Sequence, residues 1–309
     1  MPSLTLQEAY ETLRTQTPTY LHLSGPVSDE IVFQEFCQTL QASEQLECLQ
    51  WTDGALSDTQ AHRLGQALAG HGRLRSLILD RVTLSPTAAL ALFPAHWTAA
   101  TLEDLTLASN GLTADAIHAL LPQLVSCGLP LVSLSLSGNP LGNEGAFGRA
   151  LAEVLSHWPM LRQLSLNGCE LTDVDILALL PACATLSRLQ LLNLAHNRLN
   201  DVAGHALAEA CARHPALVRL RLSHNQLTDS TASALANALR HNPKIKYVEL
   251  DGNPFTAEGI EALQEAVHGA DRKPLQQHLA NLADALTVSS NTSLGIPPLA
   301  LSPAVEKLA

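Results

Sequence analysis

The chain has 309 residues, with 18 basic and 29 acidic side chains and a formal net charge of -11. That acidic balance excludes a nucleic-acid binder, because counterion release from phosphate needs a basic surface. With 46% hydrophobic but only 4% aromatic residues, the interior must be built from Leu and Ala in a regular, repeating way.

The opening stretch, MPSLTLQEAYETLRTQTP, is amphipathic and has neither a basic n-region nor a continuous apolar h-region, so no secretory signal peptide is expected. A short helix is expected near residues 4–13. Residues 20–23 followed by 29–40 read as a degenerate repeat, one step of 28 residues before Leu46. The pattern L-x-x-L-x-L-x-x-N-x-L then begins at Leu46, Leu74, Leu102, Leu131, Leu161, Leu189, Leu217 and Ile245, with spacings of 28, 28, 29, 30, 28, 28 and 28. In L-x-x-L-x-L the alternating leucines share one face of a short strand, and parallel stacking of such strands buries that face continuously.

The ninth position holds Gly54, Val82, Asn110, Asn139, Cys169, Asn197, Asn225 and Asn253. An inward amide there can bond the turning backbone of adjacent repeats as a ladder, and losing Asn197 or Asn225 is expected to cost roughly 1–3 kcal/mol. Gly54 and Val82 cannot take part, which predicts a looser ladder in the first two repeats. Three residues further on, Ser57, Ser85, Thr113, Thr172, Asn200, Thr228 and Thr256 read as helix N-caps. The helices that follow, such as Asp229–His241, carry Ala and Leu at helical spacing. Helices pack about 8–10 Å apart and strands about 4.8 Å apart, so the stack must curve with its strands inside.

The repeats end near residue 272, and a capping helix is expected over 274–286, with Leu275, Leu279, Leu282 and Leu286 on one face. This divides the chain into an N-terminal cap with one degenerate repeat (1–45), eight repeats (46–272), a C-terminal capping helix (273–287) and a flexible tail (288–309) rich in Ser, Pro and small residues. No run approaches the roughly 18 apolar residues of a spanning helix, so no membrane contact is expected. The six cysteines form no CxxC pair. They fit reduced thiols in a cytoplasmic protein better than a disulfide framework or a zinc site, and Cys183 and Cys211, in adjacent helices, are expected to lie too far apart to bridge.

The period and its motif resemble the leucine-rich repeat family, in the long ribonuclease-inhibitor-like class that also forms the sensor regions of nucleotide-binding innate immune receptors. The resemblance implies an α/β leucine-rich repeat solenoid, a horseshoe with a parallel β-sheet on the concave face and α-helices on the convex face. It also implies a non-enzymatic protein-protein interaction module that binds its partner on the concave face. The Ala-rich composition and short caps fit a bacterial chain. Bacterial repeats of this kind often belong to effectors translocated into host cells by a specialised secretion system, which makes a host protein a candidate partner. A monomer is expected.

No P-loop, HExxH, GxSxG or GxGxxG occurs, and neither catalytic residues nor a cofactor or metal are expected. His71, His157, His214 and His241 fall at the ends of convex helices, where a partly cationic ring suits the helix dipole. His196 and His224 share the eighth repeat position, but Gly252 follows them, leaving a two-histidine metal site without a third ligand. The solvent-facing concave columns are positions three, five, seven and eight. Acidic Asp53, Asp80 and Asp104 gather in the early repeats, Ser133, Ser135, Ser137 and Ser165 line the middle, and Arg219, Arg221, His224, Lys246 and Tyr247 gather towards the end, with Glu249 and Asp251 on the rim. Tyr beside Arg is the composition of interface hot spots, and Leu191 is expected to offer an apolar side chain nearby. The alternative function is a GTPase-activating protein of the Ran type. Arg81 lies in a strand-to-helix loop of an early repeat as that family's arginine does, although its context, LDRVTLS, departs from the family motif.

Overall fold

A computed structural model describes residues 3–95, 97, 101–269 and 271–293, with side chains to residue 286. The chain opens with α1 (Leu6–Thr15), β1 (Tyr20–Ser24) and α2 (Glu30–Ala42). The repeats then supply β2 (Cys48–Leu56), α3 (Asp58–Ala69), β3 (Ser76–Leu84), α4 (Pro86–Ala91), β4 (Asp104–Ala108), α5 (Ala114–Ser126), β5 (Ser133–Ser135) and α6 (Ala146–Leu155). They continue with β6 (Gln163–Ser165), α7 (Asp173–Thr185), β7 (Leu191–Asn193), α8 (Asp201–Arg213), β8 (Arg219–Arg221), α9 (Asp229–His241), β9 (Tyr247–Glu249) and α10 (Ala257–Val267), and α11 (Lys273–Ser293) follows. The strands form one parallel sheet in chain order, and the leucines of the motif fill a single core between sheet and helices. The result is an α/β solenoid whose sheet lines the concave face.

Every strand pairs with the next at the repeat period, so residues one period apart are lateral neighbours: Leu191 with Arg219, Arg219 with Tyr247, Arg221 with Glu249. The ninth-position amides form the expected ladder. Asn139 Oδ1 accepts from the N–H of Asn110 and Leu112, and its Nδ2 donates to Leu107 O and Leu136 O. Asn197 and Asn225 repeat this geometry, and the Cys169 thiol donates to Leu136 O.

The first two repeats are not looser. β2 and β3 pair through the ninth position and beyond it, with Gly54 opposite Val82 and Leu56 opposite Leu84, so strand hydrogen bonds replace the amides. In the first repeat the indole of buried Trp51 donates to Gly25 O at 2.9 Å. A Cβ on Gly54 would lie 2.7 Å from Trp51 Nε1, which explains the glycine there.

The seven expected N-cap residues stand at the starts of α3, α4, α5, α7, α8, α9 and α10. A second bond series links these caps. Asp201 at the start of α8 accepts from Thr228 N, Thr228 Oγ1 and Thr231 Oγ1 of the next repeat. Asp229 holds Thr256 in the same way, Asp173 holds Asn200, and Asp58 holds Ser85 and Thr87. Pro86, Ala114 and Asn143 occupy the equivalent place in the middle repeats and have no carboxylate to offer.

At the N-terminal edge Leu4 bridges β1: its N–H donates to His22 O, and Ser24 N donates to Leu4 O. At the other end α11 covers β9, where His278 Nε2 accepts from Leu250 N. The helix runs on to Ser293, past the end expected at residue 286, and the rest of the expected tail, 294–309, lies outside the described residues.

The helix-end histidines divide into two kinds. His157 and His241 meet the carbonyls of Val154 and Asn237 in the last turn. His71 and His214 are buried instead, and burial holds both below the ordinary histidine range. His214 Nδ1 accepts from the N–H of Ala216 and Leu217, so the ring is neutral there rather than cationic. One period later Asn242 does the same work, accepting from Lys244 N and donating to Cys211 O and His214 O. In the unfolded chain these histidines take up protons near pH ~6.5, while the folded chain resists until lower pH. Stability is therefore full above that value and falls as pH drops through it. Thermal melts from pH 7.5 to 5.5 should show this loss, and His214→Asn, copying Asn242, should make the slope shallower.

Candidate functional site

The concave columns at β7–β9 bring together most of the residues singled out in the sequence. Arg221 Nε lies 3.0 Å from Glu249 Oε1, an ion pair in which the buried Nε–H itself makes no hydrogen bond. Arg219 is exposed beside it and has no carboxylate partner among the described residues. Tyr247, paired laterally with Arg219, is half-buried with its ring 5.7 Å from that of His278. Its phenol is raised from the usual range by burial and then by the charges of Glu249 and Asp251. Lys246 turns outward to Asp271, donating to its backbone oxygen at 3.1 Å. Asp251 is exposed and receives a long bond of 3.5 Å from Ser223 Oγ. Leu191, paired laterally with Arg219, is half-buried on the same face.

The eighth position has a property that residue types do not reveal. Gly25, Asp53, Arg81, Ser109, Gly138, Gly168, His196, His224 and Gly252 all have positive φ. At Gly25, Ser109, Gly138, Gly168, His196 and His224 the left-handed turn aims the N–H at the seventh-position carbonyl of the next repeat, as in His196 N to Ser223 O at 2.8 Å and His224 N to Asp251 O at 2.6 Å. Non-glycine residues adopt this conformation at a cost of about 1 kcal/mol or more, and none of the five here is β-branched. His196 and His224 stack with ring centroids 4.2 Å apart and 16° between planes. Two face-to-face rings do not converge on one point, and no group of three or more metal-ligating side chains occurs among the described residues. Gly252 continues the column beneath His224: an added Cβ would lie 2.3 Å from its Nδ1. The stack borders a shallow hollow with Asn167, Asn193, Arg221 and Asp251.

The early-repeat residues form a closed set. Arg81 Nε and Nη2 meet the two carboxylate oxygens of Asp53 at 2.6 and 3.3 Å, and Nη1 meets Asp80 at 2.6 Å. The bond from Arg81 holds Asp53 below the usual carboxylate range. Asp104 stands apart on β4, raised by burial and then by Glu103. Between the two ends the face is lined by small groups, with the Ser137 and Ser165 hydroxyls 2.9 Å apart.

A family model described as Leucine Rich repeat matches residues 130–148, 158–180, 214–236 and 241–263, within the same periodic units that the sheet and helices define. These matched segments are similar to leucine-rich repeats. The bovine (Bos taurus) NACHT, LRR and PYD domains-containing protein 5 is 34% identical over 155 residues, which cover 50% of this chain and 14% of the bovine protein. The chain therefore spans a small part of that relative's length.

Outside the concave face, the repeats and the N-terminal cap bury most of the cysteines. Burial pushes the thiols of Cys37, Cys169, Cys183 and Cys211 up to about 12, and all six are free. Among the described residues no helix is long and apolar enough to cross a membrane.

Proposed function

We propose that this chain is a protein-binding module, and that the C-terminal part of its concave face, centred on Arg219 and Tyr247, takes a carboxylate-bearing segment of a partner protein. The observation that carries this reading is the contrast between the two concave arginines. Arg221 has a carboxylate beside it in Glu249, whereas exposed Arg219 keeps its planar fork of donors open to a carboxylate from outside. Tyr247 beside it offers rigid, half-buried aromatic area, and such pairs concentrate binding energy. His196, His224, Lys246 and Asp251 form the rim. Delivery into a host cell, with a host protein as partner, is the narrower form of this reading and is supported by composition alone. The GTPase-activating alternative needs a free arginine, and Arg81 is held by two carboxylates.

Changing Arg219 and Tyr247 together to Ala should leave the melting temperature nearly unchanged and weaken partner capture by roughly tenfold or more, equivalent to about 1.4 kcal/mol. Capture from host and native lysates side by side distinguishes the narrower reading from the broader one. If capture survives the double change but is lost on substituting Asp53, Asp80 and Arg81, the working surface lies in the early repeats.

A further inference from the structure

Side chains at the eighth position of the concave turns lean towards the C-terminal repeats. A Cβ on Gly138 would lie 2.4 Å from Ser109 Oγ of the repeat before, and one on Gly252 would lie 2.3 Å from His224 Nδ1, so each of these glycines is roofed by its predecessor's side chain. The His196 and His224 rings lie face to face 4.2 Å apart, close to one strand spacing of about 4.8 Å, so His196 leans in the same direction. Gly168 breaks the series. Apart from its chain neighbours, a Cβ added there would meet nothing nearer than Gly138 at 3.9 Å, because Gly138 has no side chain to lean over it.

The two consecutive glycines leave a slot in the column. It runs from the Ser109 hydroxyl over Gly138 to the near face of the His196 ring, about two strand spacings or roughly 10 Å. The far face of that ring is taken by His224, and no other ring among the described residues stacks on the near one. The slot opens into the hollow of about 420 Å³ beside the stack, whose lining at this end, Asn167, Asn193 and Ala195, is uncharged. Half-buried Asn167 has an Oδ1 with no hydrogen-bond partner.

A bare ring face at the end of a stack gains most from another planar ring, which covers its apolar surface and adds the attraction between offset aromatic systems. Tryptophan and tyrosine suit the place better than phenylalanine, because their polar edges find a partner in the Asn167 amide. An arginine suits it less well. Its guanidinium stacks on rings too, but here it would lose water without a carboxylate beside it, since Glu249 is paired with Arg221 and Glu170 with Arg198.

We propose that the slot over Gly168 takes an aromatic side chain of the partner, tryptophan or tyrosine, stacked as a third ring on His196, from the same segment whose carboxylate meets Arg219. The inference rests on the reading of the concave face given above and adds a spacing to it. Gly168 and Arg219 lie two strands and five residue positions apart, about 19 Å, which an extended segment covers in about six residues.

The probes are peptides blocked at both ends, with Asp and Trp about six residues apart on a Gly-Ser spacer, made in both orders, and counterparts with Ala or Arg in place of Trp. They are titrated into the full chain carrying isotope-labelled histidine. In one order the Trp peptide should move the imidazole resonances of His196 and bind at least roughly threefold more tightly than its Ala counterpart. Gly168→His fills the slot from within the chain, in the left-handed conformation that His196 itself adopts, and His196→Gly removes the platform at a position where glycine is unstrained. Each should abolish the advantage of Trp over Ala, whereas Arg219→Ala should weaken both peptides alike. Equal binding of the Trp and Ala peptides, or binding of neither, overturns the inference, and if Arg219→Ala still weakens both, the carboxylate reading stands without it. A Trp advantage that survives both slot variants overturns it by placing the ring elsewhere, and tighter binding of the Arg peptide overturns it by assigning the slot to a planar cation. A Trp advantage lost in both variants but indifferent to Arg219→Ala supports the stacking and removes the carboxylate reading alone.

Discussion

Replacing Asn197 by Ala should lower the free energy of unfolding by about 3 kcal/mol, the top of the range expected from the sequence. Its Oδ1 accepts from Cys169 N at 3.1 Å and Leu171 N at 2.9 Å, and its Nδ2 donates to Leu166 O and Leu194 O, each at 2.9 Å. The substitution strands three backbone groups, since Leu194 O keeps its bond from Asn225 Nδ2, in a site where the residue is only 8% exposed, and each stranded group costs about 1 kcal/mol. The Cys169 thiol at the preceding rung offers no amide to share the loss. Asn253, on the last rung, is half-buried, so water can meet part of the same demand, and Asn253→Ala should cost about 1 kcal/mol. Denaturant titrations of the two variants decide the matter: equal losses would mean that the ladder does not account for the effect.

Trp51→Ala should cost about 3–5 kcal/mol, the range for emptying a buried aromatic site. The ring is fully buried, lies 6.1 Å from Phe33 and 6.4 Å from Phe36, and holds Gly25 O through its indole N–H. Trp51 and Gly54 act as a unit in which the indole occupies the space of a ninth-position amide. The paired change Trp51→Leu with Gly54→Asn restores the motif of the later repeats. It should therefore recover a large part of the stability lost by Trp51→Leu alone, a coupling that a double-mutant cycle measures. Additive losses would show that Gly54 is small for another reason.

The repeat register was readable because one quantity, the 28-residue period, sets every lateral neighbour at once. The pairing of Arg219 with Tyr247 and of Arg221 with Glu249 follows from it without knowledge of a single contact. Features that depend on three-dimensional fit were not readable in this way. The left-handed eighth position is hidden because Asp53, Arg81, Ser109, His196 and His224 stand where glycine would have announced it. His71 and His214 were assigned to exposed helix ends because a helix end in sequence does not show whether its ring turns outward or into the core. Comparing His214 with Asn242 one period later would have found the answer. Leu191 looked exposed because alternation tells which face a residue is on, but not how deeply it is buried there.

The aspartates that grip the next helix cap are unevenly distributed. Asp58 links α3 to α4, and Asp173, Asp201 and Asp229 link α7 through α10, whereas Pro86, Ala114 and Asn143 leave α4 through α7 without that clamp. The compliance of the arc is therefore concentrated in its middle turns. The cap clamps lie behind the strands that carry Arg219 and Tyr247, while the caps of the central turns have no such carboxylate. On the proposed reading, a partner wider than the resting gap would open the arc at those middle turns and leave Arg219 and Tyr247 in register.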